Sequence, residues 1–164
     1  MYFDRDFNPP SSESYFLFGP RGTGKTTWLK HQYHNALWID LLSPREERLF
    51  SMQPELLVDR INASPDKKNV VIDEVQKVPA LLDVVHGLIE SKRGLQFVLT
   101  GSSARKLRRG GVNLLAGRAH WKNFYPFMAI ELKERFNLPQ ALKTGLMPLV
   151  FASNDPESKL EQKT

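Results

Sequence analysis

Gly19-Pro20-Arg21-Gly22-Thr23-Gly24-Lys25-Thr26 follows the pattern G-x-x-x-x-G-K-[ST] without a mismatch. Residues of these types at this spacing suit a polyphosphate. The glycines let the backbone fold round an anion and turn its N–H groups inward. A helix starting at the end of the pattern aims partial positive charge at the same point. Lys25 would then reach the β- and γ-phosphates, the Thr26 hydroxyl would ligate Mg²⁺, and Thr27 completes the binding stretch in the first helical turn. With glycine near 7% of residues, chance places this pattern in under about 1% of chains this long. The alternative is a glycine-rich strand-to-helix turn with an incidental Lys-Thr pair.

Such a loop needs a carboxylate beside the γ-phosphate, and Val70-Val71-Ile72-Asp73-Glu74 supplies one 48 positions after Lys25. An apolar strand ending in acids delivers them at the carboxyl edge of an open sheet, where ligands of such folds bind. Asp73 would hold Mg²⁺ largely through water. Glu74 would orient and deprotonate the attacking water. A GTPase would show D-x-x-G after this strand and N-K-x-D elsewhere. The sequence has neither, and Asp73 is followed by Glu74-Val75-Gln76.

Thr100-Gly101-Ser102-Ser103 follows a fourth apolar run, where Thr100 or Ser102 would sit between Asp73 and the γ-phosphate; the other reading is a polar turn that caps the next helix. Arg118, in Leu115-Ala116-Gly117-Arg118, lies where it could approach phosphates. Arg105-Lys106-Leu107-Arg108-Arg109 reads as a solvated face, a nucleic-acid footprint or a patch facing a neighbouring subunit. Arg21 reads as solvent-facing or adenine-side. Tyr2, Phe3 and Phe7 either cover an adenine or anchor the N-terminus. His31 and His34 have metal-compatible spacing without a third ligand, which favours surface or packing roles.

The elements that must position these groups follow from composition and periodicity. Strands are expected at Tyr15-Phe16-Leu17-Phe18, Ala36-Leu37-Trp38-Ile39, Asn69 to Asp73, Leu95 to Leu99 and Ala119 to Tyr125. Helices are expected at Lys25 to Tyr33, twice between Ser43 and Ala63 with Pro54 in a first turn, at Ala80 to Ile89, and at Phe127 to Phe136. Trp28 and Trp38 read as core. Strands alternating with helices predict an α/β fold with a parallel five-stranded sheet covered on both faces. Residues 1–14 read as a lead-in without regular structure, 15–137 as the core, and 138–164 as a separate C-terminal portion with a polar, mobile end.

Composition sets the outer bounds. The chain has 164 residues, of which 41% are hydrophobic and 25% charged, a globular balance with no internal repeat. It contains no cysteine, which excludes disulfides, thiolate metal sites and a cysteine nucleophile. No apolar run reaches the roughly 18 residues of a membrane span, and the acidic N-terminus lacks the charge order of a signal peptide. A cytoplasmic protein with no membrane partner is the expectation. A net charge of +5 permits an anionic partner.

GPRGTGKTTWL, VVIDEVQKVPALLDVVHGLIE and FVLTGSSARKLRRGGVNLLAGRA, in this order, resemble a family of bacterial and archaeal AAA-like ATPases. The resemblance covers roughly Tyr15 to Leu132. It implies the additional-strand architecture, with the Thr100 strand between those bearing Lys25 and Asp73. Lys25, Thr26, Asp73 and Glu74 match the family's nucleotide and catalytic positions, Thr100 or Ser102 its polar sensor region, and Arg118 its LAGR arginine. Leu138 to Phe151 resembles the opening of a longer C-terminal part, which implies that a helical lid and a further domain are missing. The expectation is a Mg²⁺-dependent domain that binds ATP and hydrolyses it slowly to ADP. The alternatives are a non-hydrolysing nucleotide switch, and a nucleic-acid binder working through residues 105–109. A homo-oligomer or a protein partner is also compatible.

Overall fold

The structure, a computed structural model, describes residues 2–102, 104–109 and 115–153. The apolar runs become five strands: β1 Tyr15–Phe18, β2 Leu37–Asp40, β3 Asn69–Asp73, β4 Gln96–Gly101 and β5 His120–Asn123. All pair in parallel, in the order β2-β3-β4-β1-β5. Parallel neighbours need long crossovers, and helices supply them. Helix α1 (Lys25–Gln32) joins β1 to β2, α2 (Pro44–Met52) and α3 (Leu56–Asn62) join β2 to β3, and α4 (Leu81–Glu90) joins β3 to β4. Helix α5 (Ala104–Arg109) follows β4, while α6 (Ala129–Leu132), α7 (Leu138–Thr144) and α8 (Pro148–Phe151) follow β5.

The unbroken apolar strands are explained by burial on two faces. Phe16, Phe18, Val70, Ile72, Phe97 and Leu99 point to one side and pack with Phe50, Leu57, Leu81 and Val85 of α2, α3 and α4. Tyr15, Leu17, Val71 and Val98 point to the other and pack with Trp28 and Leu29 of α1 and with Phe124. The Tyr15 and Tyr33 hydroxyls, 2.9 Å apart, tie β1 to the end of α1. Trp28 is core as expected; Trp38 is only partly buried, on the edge strand under Lys30.

Local expectations are corrected at three places. Pro44, not Pro54, occupies the first helical turn of its helix, and Pro54 lies in the turn before α3. Strand β4 runs on to Gly101, so Thr100 belongs to the sheet rather than to the turn after it. The helix expected from Phe127 to Phe136 breaks after Leu132, because Lys133 takes a left-handed φ of 50° and a 3₁₀ turn follows. Beyond it, α7 is capped by the Asn137 side chain, which accepts from the Gln140 amide at 2.9 Å.

The lead-in has no regular secondary structure, yet it is packed. Phe7 stands edge-on to Trp28 and Phe124, and the Gln96 side-chain amide donates to the Pro10 and Glu13 carbonyls. No helix among the described residues is long and apolar enough to cross a membrane. Ser103 and residues 154–164 lie outside the described residues. Phe97, fully buried in β4, tests the core: Phe97→Ala is expected to lower the unfolding free energy by about 3–5 kcal/mol in a urea titration.

Candidate functional site

Three strand ends meet at one edge of the sheet. β4 lies between β1 and β3, with Leu17 beside Thr100 and Ile72 beside Leu99. The glycine-rich loop leaves β1, and the acids leave β3, on either side of Thr100. The loop enters α1 through Gly24, whose φ of 86° is left-handed backbone that a side chain would strain. No side chain caps this helix start, so among the described residues no hydroxyl or carboxylate claims the first amides of α1.

Lys25 is 6% exposed and folds back over the loop, donating to the Gly19 carbonyl at 2.6 Å and the Pro20 carbonyl at 3.1 Å. An ammonium carries three donors, and the third has no partner among the described residues. Burial pushes its pKa below lysine's ordinary value; Glu74 and Asp73 pull it up, and the exposed Arg21 pushes it down. An anion over the loop would satisfy both the charge and the spare donor.

Asp73 is 2% exposed and bonded on both oxygens. The Thr26 hydroxyl donates to Oδ2 at 2.8 Å, and the Thr100 hydroxyl donates to Oδ1. Thr100 also accepts the Glu74 backbone N–H at 3.0 Å. Its hydroxyl thus engages both acids, on the Asp73 side of the place expected for it between Asp73 and the γ-phosphate. Ser102, half-buried just past β4, bonds instead to Gln76 at 3.3 Å. Glu74 has a left-handed φ of 60° that turns it out of the strand, and its carboxylate accepts from the Gln76 amide.

The structure brings Gly19 to Thr27, Asp73, Glu74, Thr100 and Ser102 together, but not Arg118. That arginine precedes β5, whose first residue is level with Tyr15, so it lies at the opposite end of the strands from the loop. There it pairs with Glu90 at the end of α4. Its expected approach to this chain's own phosphates is therefore corrected; spacing in sequence does not say which end of a strand a flanking residue occupies. In the basic run, Arg105 is exposed and Leu107 buried, while the side chains of Lys106, Arg108 and Arg109 lie outside the described residues. His31 stacks on Tyr2 with ring centroids 4.0 Å apart.

The residues fit a magnesium ion only in part. Thr26 and Asp73 offer hard oxygen donors in contact, but no group of three His, Asp or Glu side chains among the described residues forms a cage. Mg²⁺ is commonly bound by one or two carboxylates together with substrate phosphates and water, which is the environment these two residues provide.

Sequence reasoning missed Arg5. Its guanidinium donates to the Thr23 carbonyl inside the loop at 2.8 Å, to the Tyr125 carbonyl at 2.6 Å, and to Glu131 at 3.0 Å. It also lies 4.2 Å from the centre of the Phe124 ring. Glu131 in turn accepts the backbone N–H of Asp6 and of Met128. The partners stand 126 positions apart, and only Glu131 lies in a motif-like segment. Beside this pin, Tyr2, Phe3, Gly24, Thr27, Pro148 and Leu149 help to line a cavity of about 330 Å³ on the outer side of the loop. The Leu149 N–H bonds the Gly22 carbonyl at 3.3 Å, so the segment after β5 touches the loop directly.

A family model described as AAA domain matches residues 11–133, most of the chain. The chain belongs to that family. Among solved structures it is similar to the Aeropyrum pernix Orc1 protein, solved in complex with DNA, at 14% identity and a TM-score of 0.47; the alignment covers 80% of this chain and 44% of that one. It is similar to the DnaC helicase loader at 15% identity and a TM-score of 0.44, covering 73% and 81%. It is similar to the Pif1 helicase from Candida albicans at 16% identity and a TM-score of 0.42, covering 93% and 43%. The chain thus spans less than half the length of the Orc1 and Pif1 chains. No curated protein matches it. The domain is a parallel α/β fold of the AAA type with a P-loop.

The Arg5 and Glu131 side chains are 6% and 2% exposed. Arg5→Ala, which strands a buried carboxylate, is expected to cost about 3–5 kcal/mol. Glu13→Ala, at the exposed pair with His120, should cost less than about 1 kcal/mol in the same denaturant titration.

Proposed function

We propose that the domain binds Mg²⁺-ATP at the loop and hydrolyses it slowly to ADP and phosphate. The observation that carries this reading is the contact of Thr26 with Asp73 beside a buried lysine that has a donor to spare. The amides of Gly22, Thr23, Gly24, Lys25 and Thr26 cradle the phosphates, with Gly19, Pro20 and Arg21 forming the rest of the loop and Thr27 its helical end. Lys25 neutralises the β- and γ-oxygens. Thr26 and Asp73 would hold Mg²⁺, which supplies charge neutralisation across the β- and γ-phosphates.

Glu74 accepts the proton of the attacking water, as its place one residue beyond Asp73 supports. Thr100 holds both acids still from within the sheet, and Ser102 meets the γ-phosphate from the end of β4. The apolar cavity beside Gly24 takes the nucleoside, with Tyr2 and Phe3 supplying aromatic surface, while Phe7 serves as an anchor against Trp28. Arg118 has no part in this chain's own site.

A thermal melt with and without Mg²⁺-ATP tests binding. At 100 times its dissociation constant, a ligand stabilises by about 2.7 kcal/mol, which for this length is a rise on the order of 5–10 °C. Lys25→Ala should abolish the shift. Glu74→Gln should keep the shift and lose turnover; a wild-type rate no higher than that variant's would reduce the protein to a nucleotide switch.

A further inference from the structure

The group that aims the Glu74 carboxylate lies two residues on. We propose that Gln76 is a positioning residue: its carboxamide ties Glu74 to Ser102, so that the water-activating acid and the phosphate-facing hydroxyl are set by one side chain. The inference rests on Glu74 being the hydrolytic base.

The local backbone makes this contact. The left-handed Glu74 leads into a 3₁₀ turn, Val75–Lys77, closed by the Lys77 N–H on the Glu74 carbonyl at 3.0 Å. The chain thereby folds back, and the Gln76 side chain returns over the residue that began the turn. Its Nε2 donates to Glu74 Oε2 and lies 3.3 Å from Ser102 Oγ. A primary amide has two N–H donors, and these two acceptors match them. Reversing the amide would set Oε1 against a carboxylate, acceptor against acceptor, so charge fixes its orientation. Because Ser102 accepts from Gln76, its own O–H proton is directed away from the amide.

Two observations indicate that this amide is not merely filling space. Gln76 Oε1 is buried and has no hydrogen-bond partner among the described residues. A buried orphan acceptor costs stability, and an apolar side chain would fill the volume without that cost. The contacts made by Nε2 are the reason to tolerate it. The room for the amide also depends on Gly101, where an added Cβ would lie 2.6 Å from Oε1 and 3.1 Å from the Phe18 ring.

The test measures ATP turnover, nucleotide affinity and melting temperature in the full chain. Gln76→Leu keeps the volume and removes both donors. Its kcat is expected to fall about 10- to 100-fold, the scale of a misplaced reacting group, with ATP affinity unchanged and Tm not lowered. In a Glu74→Gln background the same substitution should cause a much smaller further loss, because the acid it positions is gone and only Ser102 is left to set. Should the leucine not fold, Gln76→Ala gives the same comparison without a packing demand. Unchanged turnover in the Gln76 variant, beside a dead Glu74→Gln, overturns the positioning role and leaves hydrolysis standing. Losses that add in the double variant, or that come with lower affinity or Tm, overturn it as well. Equal rates for wild type and Glu74→Gln remove the hydrolysis reading and this inference together.

Discussion

A carboxylate withdrawn from water must have its oxygens hydrogen-bonded, and Asp73 meets that demand with hydroxyls from two different elements. Thr26 reaches it from the first turn of α1, and Thr100 reaches it from β4. This requirement fixes much of the molecule. β4 has to lie between β1 and β3, which forces the chain to cross from one side of the sheet to the other before the strand carrying Thr100 is laid down. α1 has to begin where β1 ends, so that its second residue faces the acid. The strand order thus follows from bringing one hydroxyl to each oxygen of one buried acid.

The three central strands were legible because each is buried on both faces and therefore reads as an almost uninterrupted apolar run. Asn69–Asp73 and Tyr15–Phe18 coincide with their expected limits for that reason. The phosphate loop was legible because glycine, lysine and threonine do local chemistry at fixed spacing. What was not legible depends on the third dimension. Thr100 was expected just past a strand, and it lies inside one because pairing with Leu17 extends β4 beyond its apolar stretch. Arg118 was expected near phosphates, yet the register of β5 sets it at the far end of the sheet. Arg5 and Glu131 find each other across almost the whole chain, and no periodicity encodes such a meeting. Gln76 stood in plain view after the two acids, but its return over Glu74 depends on a left-handed residue that sequence patterning does not announce.

The two segments flanking the sheet in sequence work on the loop from the same side. The lead-in carries Arg5 to the Thr23 carbonyl, and the segment after β5 carries Glu131 to Arg5 and Leu149 to the Gly22 carbonyl. A glycine-rich loop has high entropy when free, and these bonds restrain its outer carbonyls while leaving its inward amides unclaimed. The family match ends at residue 133, just beyond Glu131. Glu131 therefore lies within the matched residues, whereas Arg5 lies before them.

The charges at the loop explain why a metal ion and a helix terminus are both needed for the proposed reaction. Lys25 and Arg21 stand against Asp73 and Glu74, two cations against two anions whose influences on Lys25 oppose each other. A triphosphate brought to this point adds several negative charges to a formally balanced set. The start of α1 supplies partial positive charge through amides that no side chain caps. That is far less than a triphosphate carries, and in the proposed reaction the remainder would enter with the substrate as a divalent cation. Asp73 accepts from the two Thr hydroxyls in the protein alone, and on that proposal it would serve as a counter-charge for the metal. Its burial between Thr26 and Thr100 would keep it aimed for that second task while the hydroxyl bonds hold the sheet edge together.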